Sequence, residues 1–128
     1  EERIPEAWAE VLGPLGTDNV KEHITDAPWI VILFRHSQRE RPNGEMAPTY
    51  YAQESCGIAA GIFIAAIHQI GLCTLTHMPS PMGFLRDILG RPDHEHAMLL
   101  MPVGYPAEDA RVPDLQRKGL EDVSEFFE

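Results

Sequence analysis

The stretch from Tyr50 to Gln69 constrains the fold of this chain more than any other part of the sequence. Its composition predicts one long helix that is apolar nearly all the way round, so every side of the helix has to be covered. Small residues that would let another backbone approach lie along most of it: Ser55, Gly57, Ala59, Ala60, Gly61, Ala65 and Ala66. A chain of 128 residues has little material to cover such a helix alone, so we predict a homodimer.

The overall composition limits the class of protein. Hydrophobic residues make up 44% and charged residues 23%, as in ordinary globular domains. The formal charge of −10 argues against a nucleic-acid partner, because binding to phosphate backbones depends on clustered Lys and Arg. The longest nearly apolar run, Cys56 to Ile67, is shorter than the roughly 20 residues that cross a bilayer, so we expect no membrane contact from this segment. Cys56 and Cys73 form no metal or disulfide pattern, which predicts reduced, mostly buried thiols and a cytoplasmic location.

The first residues are interpreted as a lid. A short helix is predicted over Pro5–Leu12, and a second helix is predicted from Thr17 or Asp18 to the residues before Pro28. The chain opens with Glu1 rather than Met, so we expect the sequence to begin inside a longer polypeptide.

The first strand is predicted over Trp29–Phe34. Its six residues are apolar without alternation, which is typical of a strand buried on both faces at the centre of a sheet. Residues 35–48 are polar and are predicted to form a surface loop, with a turn at Asn43 and Gly44.

The segment from Gly71 to Pro81 is the strongest indication of a ligand site. It predicts a short buried strand, Leu72–Thr76, which ends before Pro79 because proline cannot donate to a strand ladder. Hydroxyl, imidazole and free backbone N–H groups are then left at the carboxyl end of the strand, where ligands bind in open α/β sheets.

The rest of the chain predicts a helix over Phe84–Leu89 that ends with Gly90, a strand over Ala97–Val103, and an arm that covers a neighbour. The run Asp93–His96 contains possible metal ligands, but a solvated turn before the strand explains it better, so we predict no metal site. His23 and His36 are predicted to be surface groups.

Four segments, in this order and spacing, closely resemble the FMN-dependent nitroreductase-like flavoproteins, in the iodotyrosine deiodinase branch. They are TLTHMPSP (Thr74–Pro81), LGRP (Leu89–Pro92), LLMPVGYP (Leu99–Pro106) and VPDLQRK (Val112–Lys118). The resemblance extends back to Trp8 and covers only the C-terminal part of the family's fold.

The resemblance implies an α+β fold, with a central sheet flanked by helices and the long helix buried at a homodimer interface that holds two flavin sites. The chain would then be the C-terminal part of a single domain, whose N-terminal part is missing. Residues 1–27 would form a lid and helix, 28–106 the core and 107–128 the C-terminal arm.

The resemblance also implies the roles of five residues. Thr76, His77 and Met78 would line the flavin ring of FMN, and Arg117 of the C-terminal arm would bind the FMN phosphate. From the residues alone Arg117 reads as a solvated charge, although a guanidinium is the side chain best shaped to fork onto a phosphate. Lys21 would bind the carboxylate of an amino-acid substrate, or else is an exposed helix lysine.

Two departures from the family pattern bear on function. The Arg-Ser-x-x-Arg phosphate motif and the lid Glu and Tyr of the family are absent here, so this chain holds half a site. Met78 also stands where the deiodinases have a Thr whose hydroxyl reaches flavin N5, and a thioether cannot donate a hydrogen bond.

The implied function is that of an FMN-dependent oxidoreductase, possessing the chemistry of a nitroreductase or dehalogenase. It would take electrons from NAD(P)H and reduce small aromatic acceptors, namely nitroaromatics, quinones or halogenated phenols and tyrosines. The alternative is a non-catalytic flavin-binding or interaction protein, in which the missing hydroxyl at Met78 reflects lost activity.

Overall fold

The computed structural model describes residues 21–127. The elements in chain order are α1 (Glu22–Asp26), β1 (Trp29–His36), β2 (Gln38–Glu40), β3 (Met46–Pro48), α2 (Ala52–Gln69), β4 (Cys73–Thr74), α3 (Gly83–Ile88), β5 (Glu95–Gly104) and α4 (Leu120–Val123). The predicted helix over Pro5–Leu12 and the predicted start of the second helix at Thr17 or Asp18 lie outside the described residues. Residues Lys21–Pro106 form one compact unit, and residues 107–127 belong to a second unit.

Strand β5 is the centre of the three-stranded sheet in the described part of the chain, in the order β1-β5-β4. Both pairings are antiparallel. The prediction that Trp29–Phe34 sits centrally was therefore wrong within these residues. The apolar run reflects burial of its middle against α2 rather than two strand neighbours, and Trp29 at its start is 72% exposed.

A bulge divides the ladder between β1 and β5. Leu33 pairs with Leu99, whereas Phe34 pairs with Ala97, so Met98 is the extra residue on β5. Beyond the bulge, His36 is paired with Glu95. Without the extra residue, the register of the first half would have placed His36 opposite His96.

The core of the unit Lys21–Pro106 lies between α2 and the sheet. It contains Ile67 of α2 with Met101 and Val103 of β5, and partly buried side chains surround them: Val31, Leu33, Phe63, Ile64 and Leu72. Met101 is the most enclosed, at 2% exposure. Removing such apolar area from water stabilises the fold by about 25 cal/mol per Å².

Helix α2 confirms the predicted long helix, with its start at Ala52 rather than Tyr50 because Tyr51 adopts a left-handed conformation. Its outer face is open: Ile58 and Ile62 are exposed, and no described atom lies within 4 Å of a Cβ built on Gly57 or Gly61. The described residues therefore provide no partner for the small-residue surface.

The strand predicted over Leu72–Thr76 is shorter than expected. β4 contains two residues, and after a gap His77 forms an isolated bridge with Leu100 in the same register. Pro102 explains the gap, because it lies where the next hydrogen-bonded pair would form with Leu75 and has no N–H to donate.

Two loop predictions have different outcomes. The polar segment 35–48 was predicted as a loop, but its first two residues end β1 and residues 38–48 form a hairpin of β2 and β3. Gly44 does lie in its turn, with a φ of +83°. Helix α3 ends as predicted at Gly90, which has a φ of +59°. The N–H of Gly90 donates to the Asp87 carbonyl and that of Arg91 to the Arg86 carbonyl, which is a Schellman motif.

Candidate functional site

The segment Thr76–Met78 continues the line of β4 along β5. His77 exchanges two backbone hydrogen bonds with Leu100, at 2.8 and 2.9 Å. The prediction of free N–H groups is therefore wrong for His77. The N–H groups of Thr76 and Met78 donate to no other residue within 21–127. Both side chains are exposed, and Met78 reaches 72%. The bridge thus fixes the middle of the segment and leaves its two flanking amides available.

An imidazole pair joins α1 to this segment. His23 Nε2 lies 2.8 Å from His77 Nε2, and the two rings stack with centroids 4.9 Å apart. One ring must carry the shared proton and the other must accept it. His23 is exposed, so the prediction that it is a surface group is confirmed. Its contact with His77 was not predicted, since a contact across 54 residues leaves no local pattern in the sequence.

His77 is held towards its neutral form. Its pKa is lowered from the ordinary histidine value of 6.5, mainly by partial burial, then by the neighbouring His23 and by Lys21. Lys21 immediately precedes α1, and its positive charge contributes to the lowered pKa of His77. The structure therefore brings Lys21 and His77, two of the five predicted site residues, into one neighbourhood.

Arg117 lies in the second unit, between Pro113 and Gly119, in a segment without helix or strand. Its side chain is exposed, and it makes no ion pair with any residue of the described range.

Sequence reasoning missed the hydroxyl of Thr74. Its Oγ1 is enclosed and has no hydrogen-bond partner among residues 21–127. Leaving a buried hydroxyl without a partner costs about 1–3 kcal/mol. Thr74 precedes the predicted site segment by two residues, so an unsatisfied polar group lies beside it.

The two thiols differ from expectation in burial. Both are free, but Cys73 is exposed and Cys56 is only partly buried. The short strand β4 accounts for Cys73, because two residues of pairing cover little of it.

A second polar cluster surrounds Glu95, which is 6% exposed. Arg91 forks onto its carboxylate, with Nε 2.7 Å from Oε2 and Nη2 2.9 Å from Oε1. The hydrogen bond from Arg91 is the main reason that the pKa of Glu95 is lowered. His36 Nε2 lies 3.4 Å from Oε1 on the other side. The prediction of a solvated turn over Asp93–His96 was wrong for its second half, because Glu95 and His96 begin β5.

A shallow cleft of about 140 Å³ opens between the start of β5 and the start of α3. Its walls include Met82, Arg86, Glu95 and His96, and none of the predicted site residues lines it.

Among the described residues, no helix is long and apolar enough to span a bilayer.

Sequence comparison relates the chain to one set of curated proteins, although no family model matches it. It is 53% identical to an iodotyrosine deiodinase of Haliscomenobacter hydrossis over 116 residues, which are 91% of this chain and 52% of that protein. It is 40% identical to the iodotyrosine deiodinase of Daphnia pulex over 129 residues, covering 100% of this chain and 43% of that protein. The chain thus spans about half the length of the curated relatives it matches.

Structure comparison shows the fold of the chain. A crystal structure of oxidised iodotyrosine deiodinase bound to FMN and 3-iodo-L-tyrosine matches with a TM-score of 0.76 and 18% identity, over 97% of this chain and 61% of that chain. A nitroreductase family protein from Clostridium difficile matches with a TM-score of 0.60 and 14% identity, over 98% and 88%. The predicted α+β nitroreductase-like fold is thereby confirmed. Together the comparisons confirm the resemblance of this chain to the iodotyrosine deiodinase branch of the nitroreductase-like flavoproteins.

Proposed function

We propose that this chain forms part of an FMN-dependent oxidoreductase of the iodotyrosine deiodinase type. The observation that carries the proposal is the 53% identity to such a deiodinase over 91% of the chain. The substrates would be small aromatic acceptors (nitroaromatics, quinones or halogenated phenols and tyrosines), and NAD(P)H would be the electron donor.

The strand-end segment has the features that an FMN ring requires. The amides of Thr76 and Met78 have no partner in the described range, and both side chains face away from the core. Backbone N–H groups are suitable donors to ring oxygens and nitrogens, and the bridge of His77 to Leu100 holds them in a fixed frame. Bound FMN would supply the redox chemistry, while the protein orients it and sets its electrostatic surroundings.

Two cations would bind the charged groups. Arg117 would hold the FMN phosphate, since its exposed guanidinium offers a planar fork of donors. Lys21 would hold the carboxylate of an amino-acid substrate, and its effect on His77 supports a position close to the strand-end segment.

The exposed face of α2 supports a homodimer. Ile58 and Ile62 are 67% and 66% exposed, and a second copy packed there would remove them from water. In this arrangement the backbone of the second copy could also come close to α2 at Gly57 and Gly61, which have no side chain in the way.

Met78 favours the alternative, a flavin-binding protein without catalysis. Its exposed thioether accepts hydrogen bonds weakly and donates none, so it cannot replace a hydroxyl beside the ring.

An FMN titration with the purified protein, followed by flavin fluorescence, tests the cofactor site. Hydrogen bonds to charged groups contribute about 1.5–3 kcal/mol, so Arg117→Ala should weaken binding about ten- to a hundredfold. Arg111→Ala, on the same arm, is the control and should leave the dissociation constant unchanged. Equal constants for wild type and Arg117→Ala would reject the phosphate role.

The substrate role of Lys21 has its own comparison. Lys21→Gln should weaken 3-iodotyrosine binding but leave 2-iodophenol binding unchanged, because only the first ligand carries a carboxylate. Equal losses for both ligands would remove Lys21 from the site.

A further inference from the structure

We propose that His36, His94 and Glu95 form a binding site for a divalent transition-metal ion, with Zn²⁺ as the expected ion. Each side chain offers one ligand atom, and these atoms lie within 4.8 Å of one another. His36 ends β1, whereas His94 and Glu95 lie at the start of β5. The bulge between Leu33 and Phe34 shifts the register so that His36 is paired with Glu95, and thus assembles the cluster.

The separation of His36 Nε2 and Glu95 Oε1 fits a shared ion better than a direct hydrogen bond. At 3.4 Å it exceeds the 2.7–3.2 Å range of N–H···O bonds. Two ligands of a tetrahedral Zn²⁺, each about 2.0–2.2 Å from the metal, lie roughly 3.3–3.5 Å apart. The His94 ring is edge-on to His36, with centroids 5.5 Å apart, and one of its nitrogens lies within 4.8 Å of the other two ligand atoms.

Arg91 does not exclude a metal from Glu95. Its fork uses one lone pair on each carboxylate oxygen, and each oxygen has a second one. His36 Nε2 lies 3.4 Å from Oε1. Carboxylates that bind metals are commonly held by such outer partners, which fix their orientation. The positive charge of Arg91 opposes a second cation, so we expect weaker affinity than that of a closed structural zinc site.

The donor set selects the kind of ion. Two imidazole nitrogens with one carboxylate oxygen suit Zn²⁺ and its transition-metal neighbours, whereas Mg²⁺ and Ca²⁺ prefer oxygen alone. The His36 side chain is 54% exposed, so the ion enters from solvent and water completes its coordination.

Two other histidine arrangements provide matched controls. His96 adjoins the cluster, but its Nε2 is bound to Ser37 Oγ at 3.2 Å. In the pair of His23 and His77, two imidazole nitrogens lie 2.8 Å apart.

The test is calorimetric titration of the purified, chelator-treated protein with ZnCl₂, and separately with CoCl₂ while visible absorption is recorded. Wild type should bind one ion per chain and show the d–d absorption of Co²⁺ with nitrogen ligands. His36→Ala and His94→Ala should each weaken binding at least tenfold, while His96→Ala and His23→Ala should not. These variants leave the pair of Arg91 and Glu95 intact, so melting curves should show that they remain folded.

Several outcomes would overturn the site. They are no saturable binding by wild type, binding unchanged in both His36→Ala and His94→Ala, or a loss in His23→Ala equal to theirs. Since the titration needs no flavin, its result is independent of the proposed oxidoreductase function.

Discussion

At the residue scale, two histidines make contacts with residues that are distant in the sequence. His23 and His77 meet across 54 positions, and His36 meets Glu95 through a bulged register. Neither contact can be predicted from the local sequence, because histidines without regular spacing are interpreted as surface groups. The end of the β4 line near Thr76 and His77 could be predicted from the sequence, since prolines after a short apolar run mark the end of a strand.

The lowered pKa of His77 predicts how stability depends on pH. In the unfolded chain this imidazole takes up a proton near pH 6.5, whereas in the folded chain it does so only at lower pH. The unfolded state therefore binds more protons as the pH falls below 6.5, and the folded state loses stability in that window. Above that window the contribution is fully present.

Calorimetric melting between pH 5 and pH 8 measures this effect. The melting temperature of wild type should fall more steeply below pH 6.5 than that of His77→Gln, which has no titrating ring. Parallel curves for the two proteins would show that His77 does not contribute.

At the scale of elements, local sequence predicted the helices and their ends, whereas it did not predict which strands pair. The long helix and the Gly90 ending follow from composition and from the left-handed conformation that glycine tolerates. The edge position of β1 and the two-residue length of β4 depend on which strand lies beside which. Pro102 of β5 interrupts the ladder between β4 and β5. Because Pro102 is on β5, the sequence of β4 does not indicate the interruption.

Thr74 gives a stability prediction for β4. Its enclosed hydroxyl has no partner in residues 21–127, and valine has nearly the same shape without the hydroxyl. Thr74→Val should therefore leave the free energy of unfolding unchanged or raise it by about 1 kcal/mol, measured by urea denaturation. A loss of more than about 1 kcal/mol would mean that the hydroxyl is hydrogen-bonded in the folded protein.

At the scale of the whole molecule, the open face of α2 is the feature that the described residues leave unexplained. An apolar helix face exposed over Ile58 and Ile62 is unfavourable in water. Such a helix and its need for a cover were predicted from the sequence, and within residues 21–127 the side that carries Ile58 and Ile62 has none. A second copy is the proposed cover.

Light scattering and sedimentation test the dimer. The purified protein should have twice the mass of one chain, and Ile58→Glu with Ile62→Glu should weaken association at least tenfold because two charges would be buried. Ile88→Glu, which places the same charge on the exposed side of α3, is the control. A wild-type monomer that melts cooperatively would contradict the dimer.

We propose that this chain belongs to a working flavin oxidoreductase, and single-turnover oxidation of the reduced protein tests this function. The purified protein is loaded with FMN, reduced without oxygen and mixed with 4-nitrophenol, a quinone or 3-iodotyrosine, while the absorbance of oxidised flavin is followed. We predict that the acceptors restore this absorbance faster than they do with free reduced FMN, and that the nitro compound or quinone reacts faster than 3-iodotyrosine because Met78 offers no hydroxyl. Bound flavin that stays reduced with every acceptor would contradict the oxidoreductase function and support a binding protein without catalysis.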